Sequence, residues 1–338
     1  MKSILSISQR RNIFRFISLL IAILTLSTMF FSCIGNTKDE PTNTDESAPQ
    51  TEEPTKATER QKSTKPPKKT QDIEITDENS INARVMSFNI RYDEFTPERI
   101  ELVFKMIETY KPDSVGFQEA TDEWMEILSE RLGDTYGYVG CGRNEDRKGE
   151  ANPVFYLKSR FTLVESNTLW LSNSPEVAGS KLYNSTHPRI FTYAVLQETE
   201  TGKTYTHINT HLDHILDTAR ERQAEILLEH LKTFEDRKLS YVLTGDFNDK
   251  SSSKTYSTIM SYGLVNSSSF ATKSEPGPTY HGYGTSERII DFIFVAPSTT
   301  LVDFYKACTE TFTDEEGNVA YPSDHNPIIA DIKILGKA

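Results

Sequence analysis

Between residues 35 and 72 the chain contains no Val, Ile, Leu, Phe, Met, Trp or Tyr. Such a stretch cannot bury enough apolar surface to offset the entropy of ordering its backbone, so it reads as a tether and any core is built elsewhere. From Ser80 onward there remain 259 residues, large but close to the range of one domain. The charge divides at the same place. Residues 1–79 contribute 11 basic and 11 acidic side chains, which leaves the whole net charge of −12 on the C-terminal part. An acidic domain repels polyphosphate backbones unless cations intervene. A plain basic nucleic-acid footprint is therefore excluded, and a phosphate-ester substrate requires a bound metal.

The first 33 residues have the order of an export signal. Lys2, Arg10, Arg11 and Arg15 form a basic start, and residues 16–31 are an uncharged, mostly apolar run followed by Ser32 and Cys33. The run is shorter than the roughly 20 apolar residues that a spanning helix needs. A small residue directly before a Cys resembles a bacterial lipobox, which makes Cys33 the expected lipidated N-terminus. Phe30 replaces the usual Leu, so an uncleaved anchor is the alternative. Residues 34–79, rich in Thr, Pro, Glu and Lys, then hold the domain off the membrane across a coil on the order of 35 Å. With Cys33 assigned to lipid, Cys141 and Cys308 are too few for a disulfide framework and are expected as two separate thiols, although pairing outside the cytoplasm stays open.

Within residues 80–338 strand and helix alternate. Residues 84–90 alternate as a strand, Thr96-Pro97 starts a helix with its apolar stripe at Ile100, Val103, Phe104 and Ile107, and residues 113–118 form a second buried strand. Trp124, Ile127, Leu128 and Leu132 mark another helix that Gly133 closes. Short strands follow at residues 138–141, 153–156, 163–171, 190–197 and 205–209, a largely antiparallel stretch. A long helix over 214–234 precedes strands at 240–244, 289–295, 301–307 and 327–334. The sum is one α/β domain.

Polar residues capable of chemistry fall at or near the ends of these strands: Asn89, Glu119, His211, Asp246, Asn248, Asp291, and the pair Asp324-His325. Carboxylates gathered at one sheet edge supply the hard oxygen ligands that Mg²⁺ prefers. The segments MSFNIRYD, GFQEA, NTHLDH, LTGDFND, RIIDFIFV and PSDHNPI, in this order, resemble the endonuclease/exonuclease/phosphatase superfamily, related to DNase I and exonuclease III. The resemblance runs from Arg84 to Ile334. It implies a four-layer α-β-β-α sandwich, two packed mixed β-sheets flanked by helices, with the active site at one end of the sheets.

Carried over position by position, the resemblance implies that Glu119 is the principal ligand of Mg²⁺ or Mn²⁺, with Asn89 beside it and Asp324 adding to the same site. Asp246 and Asn248 position or deprotonate the attacking water, His325 and Asp291 form a His/carboxylate dyad, and His211 donates to a phosphate oxygen. Asp246 and His325 both stand as the base. Arg143 and Glu150, in CGRNEDRKGEANPVFY, resemble a stretch of the secreted bacterial branch in which Glu150 supports His211 and Arg143 faces substrate. His281, shortly before Asp291, is a further candidate for the cleft. The expected activity is hydrolysis of a phosphate ester, in nucleic acid, nucleotide or phosphorylated metabolite, by a monomer anchored outside the cytoplasm of a bacterium. The competing class is a lipoprotein that keeps the fold and only binds a phosphorylated ligand. Loss of a ligand or of the dyad would mark it, and every motif position here retains a competent acid, amide or imidazole.

Overall fold

The computed structural model describes residues 74–314 and 316–337. The export signal, Cys33 and the tether up to residue 73 lie outside them. In chain order the elements are β1 Ser80–Asn89, α1 Pro97–Tyr110, β2 Ser114–Gln118, α2 Asp122–Leu132, β3 Tyr136–Val139, β4 Val154–Leu157, β5 Phe161–Trp170, β6 Ile190–Glu198, β7 Thr204–His211 and α3 Asp217–Asp236. There follow β8 Tyr241–Asp246, α4 Lys254–Tyr262, β9 Val265–Asn266, α5 Ser267–Phe270, β10 Lys273–Glu275, β11 Asp291–Val295, β12 Thr300–Ala307, β13 Phe312–Thr313, β14 Val319–Ala320 and β15 Ile328–Leu335. Among the described residues no helix is long and apolar enough to cross a membrane.

Local chemistry sets the helix ends. Thr96 accepts from the Arg99 amide at the start of α1, and Lys111 ends it in the left-handed region just before Pro112. The long helix starts three residues later than its apolar pattern suggests. Asp213 Oδ1 accepts from the amides of Ile215 and Leu216, so the chain turns once before Asp217. Helix α4 is an addition to the elements expected from the pattern; Ser253 caps it and Gly263, at φ 112°, closes it.

One sheet has the order β10-β12-β15-β1-β2-β4-β3 and the other β5-β6-β7-β8-β11-β9. Both are mixed, with β1 parallel to β2 and β7 parallel to β8 amid antiparallel neighbours. Side chains of a strand alternate between faces, and the two periods separate cleanly. Ile81, Ala83 and Val85 of β1 meet Ala194, Leu196, Val242 and Ile293 of the other sheet in a core between the sheets. Met86 and Phe88 point the other way and pack with Val103, Ile107 and Trp124 of α1 and α2. On the outer face of the second sheet, Leu243 and Phe294 meet Leu227 and Leu231 of α3. These three apolar layers make the expected α-β-β-α sandwich.

Toward one end the inter-sheet layer turns polar. Asn209 Oδ1 accepts from Gln118 Nε2 at 2.6 Å and from Thr244 Oγ1 at 3.2 Å, while its amide donates to the carbonyls of Phe117 and Pro153. His207 contacts Ser114 and Thr244 hydroxyls, and burial drives its pKa down to about 3, so it stays neutral. Gly116 lets the sheets approach this closely, because a Cβ there would lie 2.5 Å from the Asn209 side chain. These polar ties lock the register of one sheet on the other just below the site. Cys141 and Cys308 are both free thiols.

Candidate active site

The inward-facing parity carries the site. Continuing the row Ile81, Ala83, Val85 along β1 leads to Asn89; the inward rows of β7 and β8 end at His211 and Asp246, and β11 opens with Asp291. Strand register sets the last three abreast, since Asp246 pairs with His211 on one side and with Asp291 on the other. Period-two geometry thus presents an imidazole and two carboxylates at one level, all of them buried.

Asn89 ties the two sheets together at this level. Its Nδ2 donates to Glu119 Oε1 and to Asp246 Oδ2, both at 3.0 Å. Glu119 is the first residue beyond β2 and has φ 59°, an uncommon conformation for a side chain of its size that costs about 1–3 kcal/mol. That backbone turn swings its carboxylate inward, where Oε2 accepts from the Tyr92 amide at 2.9 Å. Ligand atoms of Glu119, His211 and Asp246 lie within 4.8 Å of one another, as do those of Asp246, Asp291 and His325.

The buried charges are unevenly matched. Burial, reinforced by the Asp291 charge, pushes Asp246 up to about 7. Burial also raises Glu119 above the usual carboxylate range. Crowded, desolvated carboxylates of this kind are what a divalent cation would relieve, and oxygen-rich surroundings suit a hard one. His325 goes the other way: burial disfavours its imidazolium, yet the Asp291 carboxylate, 2.9 Å from Nδ1, together with the charges of Asp246 and Asp324, outweighs burial and raises it to about 10. Asp246 Oδ2 lies 3.8 Å from the other ring nitrogen.

Eight of the expected residues therefore converge, with three differences of detail. Asp324 is engaged by Arg91, whose guanidinium donates to Oδ2 at 2.8 Å, so its carboxylate is already balanced by a fixed cation. His211 is kept neutral, well below its ordinary value, by burial and by the charges of Arg189 and Arg143. Asn248 Nδ2 donates to the Leu212 carbonyl and lies 2.8 Å from His211 Nε2, so that nitrogen is an acceptor rather than the donor expected. Asn248 itself has φ 51°, which Asn tolerates well.

Glu119, His211, Asp246, Asn248, Asp324 and His325 line a cleft of about 550 Å³ together with Arg143, Glu150, His187, Arg189, His214 and Arg288. Glu150 does not support His211 as expected; both its oxygens are held by Arg143 at 2.7 Å, a bidentate pair. His281 does not reach this cleft. It stacks on Tyr321, 4.6 Å between ring centroids, and faces a neighbouring hollow of about 460 Å³, because the tight loop after it turns the chain away. Two arginines join the site without any signal in the sequence pattern. Arg99, buried at the start of α1, donates to the carbonyls of Ile90, Arg91, Asp93, Glu94 and Pro322, clamping the loop after β1 to the segment carrying Asp324 and His325. Arg189 is the other, since a single Arg after His-Pro has no periodicity to mark it.

A four-layer sandwich with acids and imidazoles at the ends of its central strands defines a DNase I-like architecture. The Endonuclease/Exonuclease/phosphatase family profile matches residues 86–325, and the chain belongs to that family. An endonuclease/exonuclease/phosphatase from Bacteroides vulgatus is 31% identical, with a TM-score of 0.67 over 75% of this chain and 99% of that one. The mannosyl-6-phosphatase of Bacteroides thetaiotaomicron is 29% identical, with a TM-score of 0.70 over 74% of this chain and 99% of that one. Nocturnin of Rattus norvegicus is 24% identical over 261 residues, 69% of this chain and 58% of Nocturnin, so the chain spans less than two thirds of that relative. Phosphoester hydrolysis is the general chemistry that these relationships support.

Proposed function

We propose that the chain is a divalent-cation-dependent hydrolase of phosphate esters, exported and held outside the cytoplasm of a bacterium by a lipid on Cys33, with residues 34–79 as its tether and residues 80–338 as its catalytic domain. The observation that carries the reading is the alignment of His211, Asp246 and Asp291 across β7, β8 and β11, with Asn89 bridging Asp246 to Glu119 of the facing sheet. In this reading Glu119 and Asp246, oriented by Asn89, hold Mg²⁺ or Mn²⁺. When bound, the cation neutralises charge on the phosphoryl oxygens and on the two carboxylates.

The remaining residues divide the work by charge state. Asp246, whose pKa lies near neutrality without a cation and falls toward the ordinary range beside one, is suited to accept the proton of the attacking water. His325 is protonated throughout the neutral range, which favours it as a cationic donor to phosphate over a role as base. Asp291 fixes its ring through Nδ1, and neutral His211 orients Asn248 toward the cleft. The substrate is a small phosphorylated metabolite, a nucleotide or a nucleic acid, and the acidic domain disfavours an avid duplex binder. A panel of plasmid DNA, RNA, nucleotides, inositol phosphates, sugar phosphates and a generic diester, assayed with Mg²⁺, with Mn²⁺ and with EDTA, tests the proposal. Cation-dependent phosphate release from at least one of them, lost in Glu119→Gln, is expected. Tight cation-independent binding without turnover would favour the binding-only class.

A further inference from the structure

One wall of the cleft is cationic, and the roles assigned to the acidic wall leave it unused. Arg189, just before β6, is only 4% exposed, and its Nε has no hydrogen-bond partner. An Nη lies 2.9 Å from His214 Nδ1, which must accept there, so His214 is neutral. Burial and neighbouring arginine charges keep both His214 and His187 below the ordinary histidine value, and the two rings stack at 6.1 Å. They line Arg189 without opposing it. Among the described residues no carboxylate pairs with this guanidinium. The carboxylates whose charges reach it are held elsewhere: Glu150 by Arg143, Asp213 by Ser185 and the amides of Ile215 and Leu216, and Asp246 by Asn89 and the Asn248 amide. A buried guanidinium without a counter-charge is strongly unfavourable, and here it opens on the same cleft as Glu119 and Asp246. The missing counter-charge is then a ligand's.

We propose that Arg189 grips the phosphoryl group of the substrate and selects a terminal phosphate, the dianion of a phosphomonoester, over a singly charged diester. The inference rests on the hydrolase reading and narrows its substrate. A terminal phosphate carries a charge of about −1.5 to −2 at pH 7 and three non-bridging oxygens. A diester carries one charge and two such oxygens. A planar guanidinium takes two oxygens at once, leaving the third of a monoester for the acidic wall and its cation. A diester cannot satisfy both walls, and it must also accommodate a second ester chain in a cleft of about 550 Å³.

The test uses the full chain in Mn²⁺ with 4-nitrophenyl phosphate, bis(4-nitrophenyl) phosphate and, for binding by calorimetry, inorganic phosphate. The unmodified protein should show a kcat/KM for the monoester at least about tenfold above the diester. Arg189→Gln should lower monoester kcat/KM and phosphate affinity by about tenfold to a hundredfold, the range for a lost hydrogen bond to a charged group. Its diester kcat/KM should fall by clearly less, so that the preference for the monoester shrinks. The melting temperature should stay level or rise, because an uncompensated buried charge is gone; Arg189→Met gives the same readout should Gln disturb folding. A lowered melting temperature with equal losses on both esters would make Arg189 structural and overturn the proposal, as would unchanged phosphate affinity. If neither ester is hydrolysed but phosphate binding still depends on Arg189, the anion site stands and the hydrolase reading fails.

Discussion

Replacing Asp291 by Asn removes one charge from a buried pair and preserves its shape, so its consequences can be worked out from the geometry. Full charges 2.9 Å apart interact by roughly 6 kcal/mol at an effective dielectric of about 20. The rise of His325 from 6.5 to about 10 corresponds to roughly 5 kcal/mol, reached against the opposing effect of burial. The two figures agree in scale. In Asp291→Asn the burial effect stays and the imidazolium is still favoured only through space, by Asp246 at 3.8 Å and by Asp324. The pKa of His325 should then fall by at least roughly two pH units. Because the folded value lies above the unfolded one, the stability that His325 contributes is complete below about pH 6.5 and fades as the pH climbs through 10. Urea unfolding should therefore show Asp291→Asn well below the unmodified protein at pH 6, with the gap narrowing by pH 10. Imidazole NMR gives the pKa directly. Turnover should fall on the order of a hundredfold, and adding His325→Ala should cost little more, because the two act as a unit. An unchanged His325 pKa in Asp291→Asn, or losses that multiply fully in the double mutant, would refute the reasoning.

Four further outcomes follow from the same geometry. Asp246 has a folded pKa above its unfolded one, so its ionisation above about pH 7 opposes folding by up to roughly 4 kcal/mol. In EDTA at pH 8 Asp246→Asn should thus melt above the unmodified protein, with no such advantage at pH 4, whereas Mn²⁺ should stabilise only the unmodified chain. Glu119→Gln keeps shape and loses charge, so divalent affinity by calorimetry and turnover should drop together while the circular dichroism spectrum is retained. Arg99→Leu leaves five carbonyls without their shared donor and should cost several kcal/mol, about 1–3 per buried acceptor left unsatisfied, visible as a lower urea midpoint. Cys33→Ala should abolish lipid labelling and release the protein from the membrane fraction; retained labelling would sink the anchor assignment.

Local rules along the chain carry the strands, the helix ends and the order of the motifs. Alternating apolar residues marked the strands, and the resemblance of six segments in order to a known family pointed to Asn89, Glu119, Asp246 and His325. The Thr96 cap of α1 was equally local. Tertiary structure decided what depends on partners distant in the chain. Whether Asp324 is spare for a cation turns on Arg91 meeting it across 233 positions, and whether His211 donates or accepts turns on Asn248, 37 positions away. His281 and Glu150 had plausible spacings but were turned aside, one by the loop beyond it and the other by Arg143. Arg189 is the extreme case. In sequence it is one arginine among many, and only the packing of the sheets removes its water and withholds its counter-ion. Charge state and burial are properties of that assembled environment, set by which groups surround a side chain in space, and no period along the chain encodes them.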